Sequence, residues 1–330
     1  MAHLLQEIES YNESGRTTPV NGLRSKFKEP TEPNVLEVVL GSWWIKPWYP
    51  SFYPEELVGK TCERLYVCKW CFKYTRDAVQ EYLRHMKTCE YRDINTALGA
   101  PIYRQPTYTL HALDGEEHRL FAQNLSLFAK LFLDSKSVMY DVTTFNFYVL
   151  VLHEPSAAEP QIVGFFSKEK LSWDSNNLAC ILVFPPWQKR GFGQVLMGVS
   201  YYLGRREGRL GGPEKPLSEL GRRAYVQYWA GVICRHVLSL PKNKPVSVQD
   251  ITESTYIVAE DVISTLKEMG VLERRNSIGT GKKKTSGAVI NKSKIKEWMA
   301  KHRVNNKSPV VETAFDLPEL SDEDEMEESE

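Results

Sequence analysis

Cysteine and histidine stand together at a metal-binding spacing: Cys68-Lys69-Trp70-Cys71 is followed after thirteen residues by His85, and after three more by Cys89. A tight knuckle supplies two thiolates, and a helix read over Ala78 to Lys87 puts positions 85 and 89 on one face. Four protein ligands fill a tetrahedral zinc shell and leave no position for water, so this zinc holds the fold together rather than doing chemistry. A single finger covers about three base pairs, which makes it a weak argument for sequence-specific DNA reading.

A second candidate is the loop Gln188-Lys189-Arg190-Gly191-Phe192-Gly193-Gln194. Glycine lets the backbone approach a ligand closely, the helix that follows adds the positive end of its dipole, and Lys189 and Arg190 add formal charge; the target is a pyrophosphate. Two other nucleotide readings fail. Residue 196 is Leu where a dinucleotide fingerprint needs its third glycine, and Asn276 stands where a phosphate loop ending in Gly281-Lys282 needs its first.

The elements that position these residues can be read coarsely. Leu36 to Leu40 forms a short strand, and Trp43 to Pro50 packs aromatics between prolines like a segment laid across a surface. Tyr108 to Leu113 and Leu120 to Phe121 read as strands around a turn at Asp114-Gly115, followed by a helix over Leu125 to Leu133. Val138 to Val142, Asn146 to Leu152 and Ile162 to Ser167 read as further strands, and Leu178 to Phe184 as a buried one. A helix then runs from about Gln194 to Arg206. Beyond Val246, short helices at Val248 to Ile251 and Ala259 to Met269, a Gly/Lys/Ser-rich turn over Ser277 to Gly287 and a last helix at Ser293 to Lys301 follow the order of a winged helix; Gly270 ends the second helix. The class is α+β.

Charge divides the chain. Lys and Arg total 42, equal to Asp and Glu, but ten of the acids lie in 312–330, where there is no base; the remainder carries 32 acids against 42 bases. A basic body suits a polyanionic setting such as chromatin, while the acidic tail either engages basic surfaces or only solubilises. No run reaches the roughly 18 apolar residues of a membrane span, no secretory signal is evident, and six cysteines without disulfide context point to an intracellular protein. The expected division is a flexible lead-in over 1–34, a zinc-finger segment over 35–92, a catalytic core over 93–235, a winged-helix-like part over 236–305 and a disordered acidic tail over 306–330.

Several segments taken together resemble the MYST family of histone acetyltransferases: Asn177 to Pro185, Gln188 to Gly193, Gly212-Pro213-Glu214-Lys215-Pro216-Leu217-Ser218, Tyr228-Trp229, Trp48-Tyr49 with Pro54-Glu55-Glu56, Leu131 to Asp134, Gly164 to Glu169, and the finger. The resemblance runs from about 43 to 300, in the family's order. It implies an acetyl-CoA-dependent lysine acetyltransferase with a central N-acetyltransferase-like mixed sheet and flanking helices. It further implies that Ala179, Cys180, Ile181, Leu182 and Val183 line the acetyl and pantetheine arm, that Gln188 to Gln194 wrap the pyrophosphate, and that Ser218 contacts the cofactor. Glu214 matches the general base, Cys180 the cysteine near the acetyl group, and Lys136 the autoacetylated lysine. Attack by the substrate amine itself is the favoured route; Cys180 as first acceptor of the acetyl group stays open, beside a purely structural cysteine.

The chain departs from the family in three places. Its polar N-terminal stretch cannot build the chromo-barrel of larger members, Gly212 stands where many have Ser, and Pro186-Trp187 where many have Gln-Tyr. Short length, the missing barrel and the Phe184-Pro185-Pro186 ending of the strand look most like the fungal "something about silencing" branch. The likeness implies a nuclear enzyme acting on the histone H4 tail of nucleosomes with accessory subunits and no membrane partner, while the basic stretch Lys282 to Lys284 reads either as an ordinary exposed wing or as a non-specific contact for nucleic-acid phosphates. The competing hypotheses are a zinc-finger and winged-helix DNA-binding protein without catalysis, and a catalytically silent scaffold.

Overall fold

The computed structural model describes residues 33–76, 78–155, 159–241, 246–276 and 286–317. Nearly all of the expected lead-in, the Lys282 to Lys284 stretch and the acidic run from 318 onward lie outside the described residues. The chain divides into two compact units, one built from 33–171, 179–196 and 310–317, the other from 172–178 and 197–309.

In the first unit, β1 (Val35–Leu40), β2 (Trp43–Ile45), β3 (Cys62–Val67) and β4 (Tyr74–Arg76) form a sheet in the order β2-β1-β3-β4, with β1 and β3 parallel. Helix α1 (Glu55–Val58) precedes β3 and α2 (Val79–Thr88) follows β4; α3 is Ile94–Leu98. The aromatic segment after β2 does lie across a surface: the Trp48 and Tyr49 amides both donate to the Leu131 carbonyl, and the Ser51 hydroxyl donates to that of Leu127.

The central sheet runs β5 (Tyr103–Gln105), β6 (Tyr108–Asp114), β7 (Phe145–Leu152), β8 (Gln161–Glu169) and β9 (Cys180–Val183) in sequence order, antiparallel throughout. The N-terminal sheet is the mixed one, through its parallel β1–β3 pair. Helix α4 spans Arg119–Lys130, so Leu120 and Phe121 are not a strand. Phe121, Leu125 and Phe128 recur at helical spacing and are all buried, which decides the local structure. The partner that a hairpin would have placed beside β6 comes from β7, and Gly115 N–H reaches the Phe145 carbonyl at 2.9 Å. Val138 to Val142 is not a strand either; Met139 and Val142 are buried, but no strand pairs with them.

Residues 310–317, expected to be part of a disordered tail, lie along β5. Val311 N–H donates to the Tyr103 hydroxyl, Phe315 bridges Tyr103 with ring centroids 4.6 Å apart, and Asp316 N–H reaches the Ile102 carbonyl. The core beneath the sheet is aromatic. Phe72, Phe121, Phe128 and Phe184 are all 2% exposed or less, and Phe72 lies 5.5–5.7 Å from each of the other three rings.

Helix α5 (Phe192–Arg206) leads from the glycine loop into the second unit. There α6 (Glu219–Ser239) packs against α7 (Val248–Thr255), α8 (Ala259–Met269) and α9 (Lys292–Lys301), with β10 (Leu272–Asn276) and β11 (Ser286–Ile290) paired as a hairpin. Ser247 and Asp250 form a capping box at α7, and Gly270 ends α8 as expected, in a left-handed conformation. This is the order read as winged-helix-like.

Candidate functional site

Cys68, Cys71, His85 and Cys89 come together, their ligand atoms all within 4.8 Å of one another. A tetrahedral zinc with bonds of about 2.3 Å to sulfur requires ligand atoms about 3.8 Å apart. Cys68 Sγ and Cys89 Sγ are 3.7 Å apart, and Cys71 Sγ lies 3.2 Å from His85 Nε2. Hydrogen bonding to Cys68 and Cys89, reinforced by burial, pushes the Cys71 thiol up, so three neighbouring thiolates need a cation to coexist. The donor set fits a structural zinc that these four residues would hold. Its knuckle is hooked into the core by Phe72, which adopts a left-handed backbone (φ 59°) that sequence reading did not anticipate.

In the same unit, β9 ends the sheet and, among the described residues, pairs with β8 alone. Of the strand expected to be buried over Leu178 to Phe184, Leu178, Leu182 and Phe184 are buried, while Ala179, Cys180, Ile181 and Val183 are half-buried. An edge strand keeps one row of backbone groups free of its sheet, available to an extended ligand. Ser167 Oγ accepts from the Cys180 amide at 3.3 Å. Lys136, 6% exposed, directs its Nζ to Cys180 Sγ at 4.0 Å. A lysine this buried is uncommon, and the structure brings it to the one cysteine of the chain that is not buried.

After β9 the chain turns through a short 3-10 helix, Pro185–Trp187, and Gln188 Nε2 donates back to the Val183 carbonyl at 2.9 Å. Gly191 has φ 87°, a conformation that costs L-residues, and a Cβ there would meet nothing. Phe192, Gly193 and Gln194 form the first turn of α5, so the helix begins two residues earlier than expected, with the Gln194 and Val195 amides donating to the Gly191 carbonyl at 3.0 and 3.3 Å. Arg190 is paired with Glu154 at 2.7 Å, and Lys189 is exposed.

Glu214 and Ser218 belong to the second unit. Asn177 N–H donates to the Gly212 carbonyl and Glu214 N–H to the Leu178 carbonyl, at 2.8 and 2.9 Å, so Pro213 bridges Leu178 in parallel. A Cβ on Gly211 would fall on the Ser175 carbonyl oxygen, which keeps that position glycine. Glu214 itself is exposed. Ser218 caps α6, its hydroxyl accepting from Gly221 N–H at 3.1 Å. Sequence reading passed over Lys215, whose Nζ reaches Asp261 Oδ1 at 2.8 Å. No local signal joins residues so far apart. Ser167 lay inside a quoted motif without being singled out.

Residues 96–315 match the MOZ/SAS family, and residues 33–89 match the MYST family zinc finger domain. A histone acetyltransferase Tip60 homolog from Caenorhabditis elegans is 41% identical over 239 residues, covering 72% of this chain and 50% of that protein. Histone acetyltransferase mst2 of Schizosaccharomyces pombe is 39% identical over 256 residues, covering 77% and 60%. Histone acetyltransferase of the MYST family 1 of Arabidopsis thaliana is 38% identical over 242 residues, covering 73% and 52%. The chain therefore spans between half and three-fifths of the length of these relatives. Among solved structures, an aminoglycoside acetyltransferase from a soil metagenomic sample aligns over 42% of this chain and 92% of its own, at 16% identity and a TM-score of 0.27, too low to carry an argument.

Proposed function

The chain belongs to the MOZ/SAS family, and from that premise we propose that it transfers an acetyl group from acetyl-CoA to lysine side chains of histones. The observation that carries the reading is the half-buried edge strand Cys180–Val183 running into a loop whose Gly191 is left-handed and whose exit is a helix N-terminus. Acetyl-CoA supplies an activated acetyl thioester. In this reading the backbone of Ala179 to Val183 aligns the acyl arm, Gln188 to Gln194 hold the pyrophosphate, and Ser218 adds a contact to the same ligand.

A lysine amine has a reference pKa of about 10.4, and baring it at neutral pH costs about 4 kcal/mol. Glu214 takes that proton, the amine nitrogen forms a bond to the thioester carbon, and the thiolate of coenzyme A leaves. The alternative, acyl transfer first to Cys180, has support in that sulfur's half-buried place on β9. Lys136, 4.0 Å from the same sulfur, is the proposed site of autoacetylation. The histone H4 tail within nucleosomes, accessory subunits, non-specific DNA contact, a silencing role of the fungal kind and a nuclear location complete the proposal. No helix among the described residues is long and apolar enough to cross a membrane.

The test is transfer of labelled acetyl groups from acetyl-CoA to nucleosomes by the zinc-loaded chain, with calorimetry of coenzyme A binding. Glu214→Gln should lower kcat by about 100-fold or more while coenzyme A still binds. No heat of coenzyme A binding would refute the enzyme, and tight, sequence-dependent duplex binding in its place would favour the DNA-binding alternative. Unchanged turnover by Glu214→Gln would refute the base.

A further inference from the structure

Asp261 lies in the first turn of α8, 4% exposed, beside apolar residues of its own helix that are also buried, Val262, Ile263 and Leu266. Its Oδ1 accepts from Lys215 Nζ at 2.8 Å, and Glu260 shares the same ammonium group at 3.3 Å. Its Oδ2 is buried without a hydrogen-bond partner among the described residues, and a Cβ on Gly212 would come within 3.1 Å of it. A carboxylate in such a place is costly unless it is paired. Burial pushes the Asp261 carboxyl up, and the hydrogen bond and charge of Lys215 draw it part of the way back.

Lys215 and Gly212 bracket Pro213 and Glu214. We infer that Asp261 is a positioning residue: by holding the Lys215 ammonium and lying against Gly212, it fixes the backbone that carries Glu214 in the strand-like path alongside Leu178. The inference goes beyond the proposed function and rests on its assignment of Glu214 as the base. It gives Lys215 a task as well, that of a tether whose other end is buried. Neither residue touches the reacting atoms in this scheme; both act through the direction of the Glu214 side chain.

The experiment uses the full zinc-loaded chain and the nearly isosteric Asp261→Asn, with Lys215→Met as a second way to break the same pair. Hydrogen exchange at the Glu214 amide, bonded to the Leu178 carbonyl at 2.9 Å, should accelerate by about tenfold in both variants while amides of the central sheet stay protected. With acetyl-CoA and a histone H4 peptide, kcat should fall by about 10- to 100-fold and the KM for acetyl-CoA should hold. In a Glu214→Gln background, neither substitution should lower kcat further. A merely structural role would instead reduce kcat by the same factor in both backgrounds and weaken coenzyme A binding along with it. Wild-type exchange at Glu214, unchanged kcat in Asp261→Asn, or that additive loss overturns the inference. If Glu214→Gln alone leaves kcat unchanged, the base assignment falls separately, and the exchange measurement still decides whether Asp261 orders the segment.

Discussion

Phe72 joins the zinc knuckle to the core under the central sheet, and its removal can be worked through quantitatively. The side chain is 0% exposed and contacts Phe121, Phe128 and Phe184 at centroid distances of 5.7, 5.5 and 5.7 Å. Truncating a phenylalanine so enclosed costs about 3–5 kcal/mol, from lost transfer energy and the cavity left behind. In a unit of this size each kcal/mol lowers the melting temperature by about 2–4 °C, so Phe72→Ala should melt about 10 °C lower. The backbone adds a second, sign-reversed expectation. At φ 59° any side chain carries a penalty of about 1 kcal/mol or more that glycine avoids, so Phe72→Gly should be at least as stable as Phe72→Ala, against the usual order of the two residues. Thermal and urea unfolding of zinc-loaded protein, with metal content measured alongside, provide the assay. A loss below about 1 kcal/mol with zinc retained would refute the packing argument, and a glycine variant clearly weaker than alanine would refute the backbone argument.

Other consequences follow from the metal site and from a buried histidine. Removing zinc with a chelator, or one ligand through His85→Ala, should unfold the segment around Cys62 to Cys89 and lower the stability of the aromatic core through Phe72; circular dichroism and metal analysis check this, and retention of stoichiometric zinc by the variant would refute the ligand assignment. His111 is fully buried, its Nδ1–H donating to the Gly99 carbonyl at 2.9 Å and its Nε2 meeting the Thr109 hydroxyl at 3.0 Å. Burial holds its pKa below the ordinary value of about 6.5. The unfolded chain therefore takes up a proton first on acidification, and stability should fall as the pH drops below about 6.5 toward the folded value. Urea midpoints measured against pH should lose part of that slope in His111→Asn, and an unaltered slope would show that His111 does not contribute.

The legible parts of this molecule were those set by local rules. The ligand spacing of the finger, the left-handed Gly270, the helix Ala259–Met269 and the glycine loop before α5 all depend on a few adjacent residues, and the structure places them where the sequence does. What escaped was decided at a distance. Leu120 and Phe121 have strand-like composition, but burial of Phe121 against Phe72 and Tyr91 makes the segment part of a helix, with Leu120 on its exposed side. Helix α6 is apolar on nearly every side, with Tyr225, Val226, Tyr228, Trp229 and Ala230 buried in close succession, so no stripe of 3.6-residue period announces it. The exposure of Cys180 and Ile181 follows from their strand being last in the sheet, an outcome of topology rather than hydropathy. The contact between Lys136 and Cys180, and that between Lys215 and Asp261, join residues 44 and 46 positions apart, beyond any local pattern.

The segment that closes β5 belongs to the last part of the chain. During synthesis, Tyr103 and its strand emerge long before Phe315, so that side of the sheet stays unsealed until the whole of the second unit has been made. An unpaired strand margin invites association with other chains, and here its shield is a stretch made 208 residues later, judged by the Val311–Tyr103 contact. The first unit is thus assembled from three separate stretches of polypeptide, and its sheet is covered only after residues 197–309 of the second unit have been made.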